Sequence, residues 1–467
     1  MASFKDFANS IIAARAALAS KAYKKQLTIV LGNQAADLDS MVSSIAFSYY
    51  LSLLPSADQK HNLQDNLILP VINIKASELR LRKDCEYVLS SFLSFETGSK
   101  KSALGFFIDE LEEPMQILNE TVNYKEIQSK RVYIVDHNVL TFEQNFLSKY
   151  VSGIVDHHFD EKKYSNLDPR LIRPVGSCTS LVALLLRTRF KELGLQNYSE
   201  IMPKSLVLAL IAPILIDTHN MKAPGDKITD IDRDSVDWLL SILETYSLDT
   251  FKIDSSTNDF ELKDEHLNSK FQKKIFFKHL SKLKKDISSY SMLDLFEKDF
   301  KQLRISGADH LPYIQVGISS IPARLESILP SESHIKDMSA ACAEICENKT
   351  LDIFILLTHG SIKQDIEVSV YGREFVIFFS PNLDKSFCTR MIESLTLHTN
   401  LALCPYSNTN YKNILQHTAD QKRKSYDNSL GNNMFLFTQE NVAASRKQVI
   451  PIINDILNTK DTSPSNL

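Results

Sequence analysis

Short apolar runs alternate with longer amphipathic stretches through the first half of the chain. The runs have the length of buried strands, and they lie at residues 27–32, 67–74, 104–108, 132–135 and 152–155. Helical patterns cover 40–54 and 177–190. Strands that alternate with helices indicate βαβ units and a parallel sheet. The pattern therefore predicts an α/β fold whose N-terminal domain is a parallel sheet with helices on both faces.

Two stretches in this half leave alternatives open. Pro70 cannot donate a ladder hydrogen bond, so an edge or bulged position is expected within 67–74. Residues 206–215 are continuously apolar, and this continuity alone does not distinguish a helix from a strand.

The second half begins with a charged region and then returns to strand patterns. A basic amphipathic helix is predicted over 269–285, where a phosphate-steering role and a plain solvated helix face are both open. Further strands are predicted at 313–318, 351–357, 366–371 and 374–379, and helices at 333–347, 383–394 and 440–457. Gly372 and Arg373 suggest a tight hairpin between the last two strands. These signals predict a smaller α+β domain from residue 285 onward.

Composition narrows the possible functions. The 467 residues are 43% hydrophobic and 24% charged, which is typical of a globular protein with two or three domains. A net charge of −4 argues against nucleic-acid binding driven by overall charge. The 12 glycines include no Gly-Gly pair, and the chain lacks a Walker loop and a Rossmann fingerprint. Six scattered cysteines without a Cys-x-x-Cys pair favour free thiols over a zinc site.

Acidic and imidazole side chains follow four of the apolar runs. They are Asp37 with Asp39, Asp136, the triplet Asp156-His157-His158, and Asp217. In a parallel sheet the carboxyl ends of the strands converge on one crevice, where ligands bind. Each group alone could be a helix cap, a solvated turn or a buried histidine with a partner. Together they predict a cluster of divalent ions, such as the metal pairs that hydrolyse phosphate bonds.

These residues carry a family resemblance. Gly32-Asn33-Gln34-Ala35-Ala36-Asp37-Leu38-Asp39-Ser40, Val135-Asp136-His137-Asn138, Asp156-His157-His158, Gly176-Ser177-Cys178-Thr179-Ser180 and Leu215-Ile216-Asp217-Thr218 resemble, in order, the motifs of the DHH phosphoesterase superfamily. Residues 299–301, 316–321 and 445–451 are similar to its DHHA2 domain. The closest likeness is to fungal cytosolic exopolyphosphatases. The resemblance implies a DHH metal-binding catalytic domain over 1–245, a helical charged linker over 246–284 and a DHHA2 substrate-binding domain over 285–467.

The resemblance also implies roles for individual residues. Two metal ions would be bound by Asn33, Asp37, Asp39, Asp136, His157 and Asp217, with Asp136 bridging. Catalysis would depend on His158, Asp136 and Asp39, with a water between the ions attacking phosphorus and His158 stabilising or protonating the departing oxygen. Phosphate would be bound by His137, His158, Lys301, Arg446 and Lys447. For the last three, the sequence alone also fits an exposed basic turn.

The metal's identity is open because of one departure. Asn33 stands where the family II inorganic pyrophosphatases have a histidine, and an amide oxygen makes Mg²⁺ more acceptable beside Mn²⁺. Two ions per site are expected, either Mg²⁺ or Mn²⁺, with Co²⁺ as a further candidate.

The leading hypothesis is an exopolyphosphatase that hydrolyses terminal phosphoanhydride bonds of inorganic polyphosphate and releases orthophosphate. The alternatives are a pyrophosphatase or nucleoside polyphosphate phosphatase with the same metals, a nuclease of the superfamily, and a non-catalytic protein that resembles animal prune proteins. The absent Gly-Gly pair argues against the nuclease, and the intact Asp156-His157-His158 argues against the non-catalytic protein. A cytoplasmic monomer without nucleic-acid or membrane partners is expected. Mitochondrial import is the minor alternative, because residues 8–25 resemble a weak basic amphipathic helix.

Overall fold

The structure is a computed structural model that describes residues 3–21, 26–54, 66–97, 100–118, 129–223, 228–246, 271–306, 313–363, 369–406 and 433–458. It divides into two compact units, Met1–Lys284 and Lys285–Leu467. Among the residues described, no helix combines the length and the apolar character needed to cross a membrane.

The α-helices of the first unit are α1 (Phe4–Ala19), α2 (Leu38–Ser52), α3 (Lys83–Phe92), α4 (Glu112–Leu118), α5 (Cys178–Glu192), α6 (Lys204–Asp217), α7 (Asp230–Leu243) and α8 (Lys273–Lys285). Its strands are β1 (Gln26–Leu31), β2 (Asn66–Ile72), β3 (Ser94–Thr97), β4 (Lys100–Ala103), β5 (Phe106–Phe107), β6 (Ser129–Val135), β7 (Val151–Asp156) and β8 (Arg170–Ile172).

The first unit is built around a six-stranded parallel sheet. Its strand order is β5-β2-β1-β6-β7-β8, and β1 pairs with β2 on one side and β6 on the other. Pro70 of β2 pairs with Val30 of β1, while β5 pairs only with Val71 and Ile72, so the proline has no ladder partner on its β5 side. The predicted α/β class is confirmed.

Two helices of this unit bear on points that the sequence left open. The open alternative at 206–215 resolves as helix α6, which is apolar on all sides because it is buried throughout Leu206–Ile216. Helix α8 lies within the span predicted as a linker. Its Phe276 and Leu280 belong to the same apolar cluster as the sheet, so α8 packs as part of the first unit. The rest of the predicted linker, 247–270, lies outside the described residues.

The second unit contains a mixed six-stranded sheet in the order β13-β14-β12-β11-β10-β9. Its strands are β9 (Phe300–Ile305), β10 (Ile314–Ile321), β11 (Ile353–Lys363), β12 (Ser369–Phe379), β13 (Leu403–Pro405) and β14 (Met434–Gln439). Its helices are α9 (Met292–Glu297), α10 (Leu325–Ile328), α11 (Glu332–Asn348), α12 (Lys385–Leu397) and α13 (Arg446–Asn458). Two apolar clusters cover its faces, one beneath α11 and the other beneath α12 and α13.

The predicted hairpin at Gly372 and Arg373 is wrong. Both residues lie inside the continuous strand β12, where Gly372 pairs with Gly360 and Arg373 pairs with His359 of β11. Gly372 does not form a turn; it leaves room for the guanidinium of Arg324. A Cβ at position 372 would lie 2.5 Å from that guanidinium.

Candidate metal centre and active site

A cavity of about 320 Å³ in the first unit collects most of the predicted site residues. Strands β1, β6 and β7 are neighbours and run in parallel, so the residues that follow them meet at one edge of the sheet. The cavity is lined by Asp37, Asp39, Asp136, His157, His158, Gly176, Ile216, Asp217, His219 and Lys284.

Asp39 is held by the N-terminus of a different helix. Its Oδ1 accepts hydrogen bonds from the Ser177 hydroxyl (2.7 Å) and from the Thr179 backbone N–H (2.8 Å) and hydroxyl (2.6 Å). Its Oδ2 accepts one from the Cys178 N–H (2.6 Å). Asp39 is 2% exposed and stands where a side-chain cap of α5 would be. The donors crowd Oδ1, so Oδ2 is the oxygen with a lone pair left for a cation.

Asp37 occupies the equivalent place on its own helix. It is the N-cap of α2, and its Oδ1 accepts a hydrogen bond from the Ser40 N–H (3.1 Å). The Asp-x-Asp pair therefore splits into one carboxylate that caps α2 and one that caps α5.

Asp136 lies at the centre of the cluster. Its backbone has φ = 62°, in the left-handed region, and its N–H donates to the Val155 carbonyl of the neighbouring strand (2.9 Å). The side chain is 1% exposed, and Oδ1 has no hydrogen-bond partner. Burial, followed by the charge of Asp39, raises the pKa of Asp136 well above its usual value. An anionic Asp136 therefore requires a positive group beside it.

His157 presents one ring nitrogen to the carboxylates. Its Nδ1 lies 3.0 Å from the Val175 carbonyl, which favours a proton on that nitrogen. Its Nε2 lies 3.3 Å from Asp136 Oδ1 and 3.8 Å from Asp39 Oδ2. Burial opposes protonation, but the nearby carboxylates of Asp136 and Asp39 raise the pKa of His157 to about 10. A proton thus occupies Nε2 until a cation replaces it.

His158 is oriented by Asp156. Its Nδ1 lies 2.8 Å from Asp156 Oδ1, and its side chain is 42% exposed. Asp156 is fully buried and also accepts hydrogen bonds from the Asn138 amide (2.6 Å) and the His157 N–H (2.8 Å). The arrangement leaves His158 Nε2 as the accessible nitrogen of an acid–base dyad.

Asp217 reaches the cavity from helix α6, which resolves the alternative that the sequence left open. It is the last residue of α6, and its Oδ2 is buried without a hydrogen-bond partner. Burial and the charge of Asp39 raise the pKa of Asp217, while Lys284 opposes that shift. The next turn contains three consecutive left-handed residues, His219 to Met221, which carry the exposed His219 to the cavity.

Lys284 brings a positive charge to this acidic lining. Burial opposes its protonation, but the carboxylates of Asp84, Asp217 and Asp37 hold the pKa of Lys284 above its usual range. It lies near the end of α8, which belongs to the first unit.

The donor set fits a divalent cation. Two buried carboxylate oxygens, on Asp136 and Asp217, lack hydrogen-bond partners, and buried polar atoms are seldom left unpaired. Ligand atoms of Asp136, His157 and His158 lie within 4.8 Å of one another. Carboxylate oxygens with one imidazole nitrogen suit Mn²⁺ or Mg²⁺.

Two predicted site residues of the first unit, Asn33 and His137, are absent from the cavity lining. The Asn33 side-chain amide donates to Asp136 Oδ2 (2.6 Å), and its carbonyl accepts from the Ala36 N–H (2.9 Å). Asn33 therefore positions Asp136. His137 is half-buried, and its Nδ1 lies 2.9 Å from the Val135 carbonyl.

The remaining predicted phosphate ligands belong to the second unit. Lys301 lies on β9, and Arg446 and Lys447 begin α13. The guanidinium of Arg446 donates to the backbone oxygen of Asp299 (2.7 Å) and to its Oδ1 (2.8 Å). Lys447 is exposed, whereas Lys301 and Arg446 are partly buried.

Sequence reasoning assigned no individual role to Asp156, His219 and Lys284, and it gave Ser177 or Thr179 only the role of a helix cap. Thr179 and Asp156 were within the quoted motifs, so their proximity to the site could have been inferred, although their partners could not. Lys284 follows 67 positions after Asp217 in the chain, and no local pattern connects the two.

A parallel sheet with acidic and imidazole ligands at its carboxyl edge defines a metallohydrolase-like site, and comparisons with known families agree. The "DHH family, N-terminal domain" model matches residues 27–214, and the DHHA2 domain model matches 278–456. The chain carries a DHH family N-terminal domain and a DHHA2 domain, as the motifs predicted.

Several named proteins are similar over much of the chain. A Schizosaccharomyces pombe protein, provisionally named as an exopolyphosphatase, is 28% identical over 92% of this chain and 90% of its own length. Human "Exopolyphosphatase PRUNE1" is 24% identical over 93% of this chain and 76% of its own, and the rat protein of that name is 28% identical over 68% and 58%. A Methanococcus jannaschii structure, described provisionally as a family II inorganic pyrophosphatase, has a TM-score of 0.48 at 18% identity, covering 92% of this chain and all of that one.

Proposed function

We propose that this protein is an exopolyphosphatase that hydrolyses the terminal phosphoanhydride bond of inorganic polyphosphate with two divalent ions. The DHH family N-terminal domain supports phosphoester or phosphoanhydride hydrolysis. The names of the related proteins support polyphosphate as the substrate. The observation that carries the proposal is the pair of orphaned carboxylate oxygens, on Asp136 and Asp217, that line the same cavity as His157.

The chain's own residues divide the work of hydrolysis. When bound, the divalent ions would neutralise phosphate charge and lower the pKa of a water molecule. Asp37, Asp39, Asp136, His157 and Asp217 would hold them. Asn33 keeps Asp136 in place, and the α5 N-terminus keeps Asp39 in place.

His158 is the candidate general acid. Asp156 fixes Nδ1 of its ring, so Nε2 can donate a proton or a hydrogen bond to the oxygen that leaves phosphorus. Lys301, Arg446 and Lys447 would bind phosphate oxygens through charge-assisted hydrogen bonds. In Arg446 the guanidinium plane is fixed in advance by Asp299.

The test is phosphate release from long-chain polyphosphate and from pyrophosphate with Mg²⁺, Mn²⁺ or Co²⁺. We expect faster release from polyphosphate, and gradual shortening of the chain on a gel, since cleavage is at the end. Asp136→Asn and His158→Ala should each lower release by about 10²-fold or more.

The control is Asp160→Asn, which alters a nearby carboxylate that pairs with Arg170 outside the cavity lining and should leave the rate unchanged. Metal-independent release, or full activity in Asp136→Asn, would overturn the assignment. A preference for pyrophosphate would favour the alternative, a pyrophosphatase with the same site.

A further inference from the structure

One face of the sheet in the second unit changes from apolar to cationic along its strands. Leu357 of β11 and Phe375 of β12 lie in the apolar cluster beneath α12 and α13. Side chains two residues apart share a face of a strand. His359 and Arg373 therefore continue this face, and they are directly paired across the two strands.

The edge strand of the sheet shows the same change. Leu303 and Ile305 of β9 pack against this cluster, so Lys301 lies on the same face, opposite Ile318 of β10. Asp299, two residues earlier, binds the guanidinium of Arg446 at the start of α13. The polar end of the face therefore runs from Lys301 and Arg446 to His359 and Arg373.

The charges of Arg373 and Asp299 both act on His359. Burial and the neighbouring charge of Arg373 lower the pKa of His359, and the charge of Asp299 opposes this shift. A neutral imidazole keeps one N–H donor, so His359 can still bind a phosphate oxygen.

Arg373 is held in a fixed orientation. Its Nε–H donates to the Val442 carbonyl (2.7 Å), in the loop that leads into α13. This bond occupies one of the five N–H donors of the guanidinium. A guanidinium fork whose plane is already fixed suits bidentate binding of a phosphate group.

We propose that Arg373, with His359, forms a phosphate-binding subsite that takes an internal phosphate group of a linear polyphosphate. The inference rests on the proposed function and deepens it, because it adds a subsite beside Lys301, Arg446 and Lys447. Only a chain long enough to occupy both groups of residues gains from it. Arg373 thereby favours long polyphosphate over pyrophosphate.

The experiment compares Arg373→Gln with wild type in two assays. The first measures binding of long-chain polyphosphate to the protein in EDTA, where metal ions do not contribute. The second measures KM and kcat for long-chain polyphosphate and for pyrophosphate. We expect binding of the long chain to weaken by about ten- to a hundredfold, the size of hydrogen bonds to charged groups, and its KM to rise similarly. Kinetics on pyrophosphate should change by less than about twofold.

Two further variants separate binding from a structural role. Arg304→Gln removes an arginine that packs on Tyr313 from the opposite face of β9, and it should leave both assays unchanged. Arg373→Lys keeps the charge but loses the fork, so it should give an intermediate loss.

Three outcomes would overturn the subsite: unchanged long-chain binding in Arg373→Gln, equal losses on long and short substrates, or an equal loss in Arg304→Gln. The proposed function fails separately, if wild type binds polyphosphate in EDTA but releases no phosphate from it when metal is added. In that case an Arg373-dependent binding signal would still support the subsite.

Discussion

The hydroxyl and the backbone N–H of Thr179 both donate to a single oxygen of Asp39, at 2.6 and 2.8 Å. Asp39 follows β1 in the chain, whereas Thr179 lies 140 residues later in the first turn of α5. The predicted metal ligand Asp39 is thus fixed by the N-terminus of α5, a helix distant in the sequence. The dipole of α5 also favours the negative charge of Asp39.

Thr179→Val should weaken metal binding. The substitution preserves shape but removes the hydroxyl donor, and loss of such a partner typically costs about 10- to 100-fold in metal affinity. Calorimetric titration with Mn²⁺ checks this. Thr179→Ser should restore most of the affinity, and Ser44→Ala, which removes a hydroxyl bonded to the Val30 carbonyl, should leave it unchanged. Equal affinity in Thr179→Val and wild type would contradict the role of Thr179.

Metal affinity should rise with pH. The pKa of His157 is raised to about 10, and those of Asp136 and Asp217 are raised well above their usual values. Below these pKa values the metal-free protein holds protons that an ion must displace, so acid weakens binding and alkali strengthens it. Each proton released changes affinity about tenfold per pH unit.

Titrations at three pH values, in buffers of different ionisation enthalpy, would count the protons released. His157→Gln should lower that count by about one, because the glutamine side chain has no titrating proton for the ion to displace. A pH-independent affinity would mean that these groups bind no metal.

Asp156→Asn should impair turnover more than binding. The amide keeps the size of the side chain, but a carboxylate no longer accepts the hydrogen bond that fixes the His158 ring through Nδ1. We expect kcat for polyphosphate to fall roughly 10²-fold, with KM and Mn²⁺ affinity changed by less than about threefold. A matched loss of metal affinity, or a thermal unfolding temperature far below wild type, would point to a structural role instead.

Leu280→Ala should destabilise the first unit. Leu280 of α8 is fully buried in the same apolar cluster as the sheet, so the cavity left behind should cost about 2–5 kcal/mol in the free energy of unfolding. Urea unfolding measures the loss. Lys278→Ala, at an exposed position of the same helix, should change it by less than about 0.5 kcal/mol. Equal stability of the two variants would show that α8 behaves as a linker.

Strand positions and the convergence of acidic tips were predictable from the sequence. The apolar runs that became β1, β6 and β7 had the right length, and parallel neighbours bring their carboxyl ends together. Residues 206–217 were ambiguous for a physical reason: a fully buried helix and a fully buried strand are both uniformly apolar. The sequence therefore left open whether Asp217 follows a strand or, as the structure has it, ends helix α6.

Other features depend on contacts that local patterns do not encode. Gly372 has the signature of a turn, but the side chain that demands it is Arg324, 48 residues away. The amphipathic pattern of α8 predicted the helix, yet it did not reveal which apolar surface it meets. The capping of α5 by Asp39 was hidden for a similar reason, since caps are normally sought in the residue just before a helix.

Cys178 gives the site a chemical character that its position in the chain does not suggest. Its backbone N–H binds Asp39, yet its Sγ donates to the Val155 carbonyl at 3.2 Å, and burial raises the pKa of the thiol well above its usual value. Thiolates attract soft ions such as Zn²⁺ and Cu⁺. Because this sulfur bonds to a strand carbonyl and stays protonated, the fold keeps a thiolate out of the site, and the cavity lining offers oxygen and imidazole nitrogen instead.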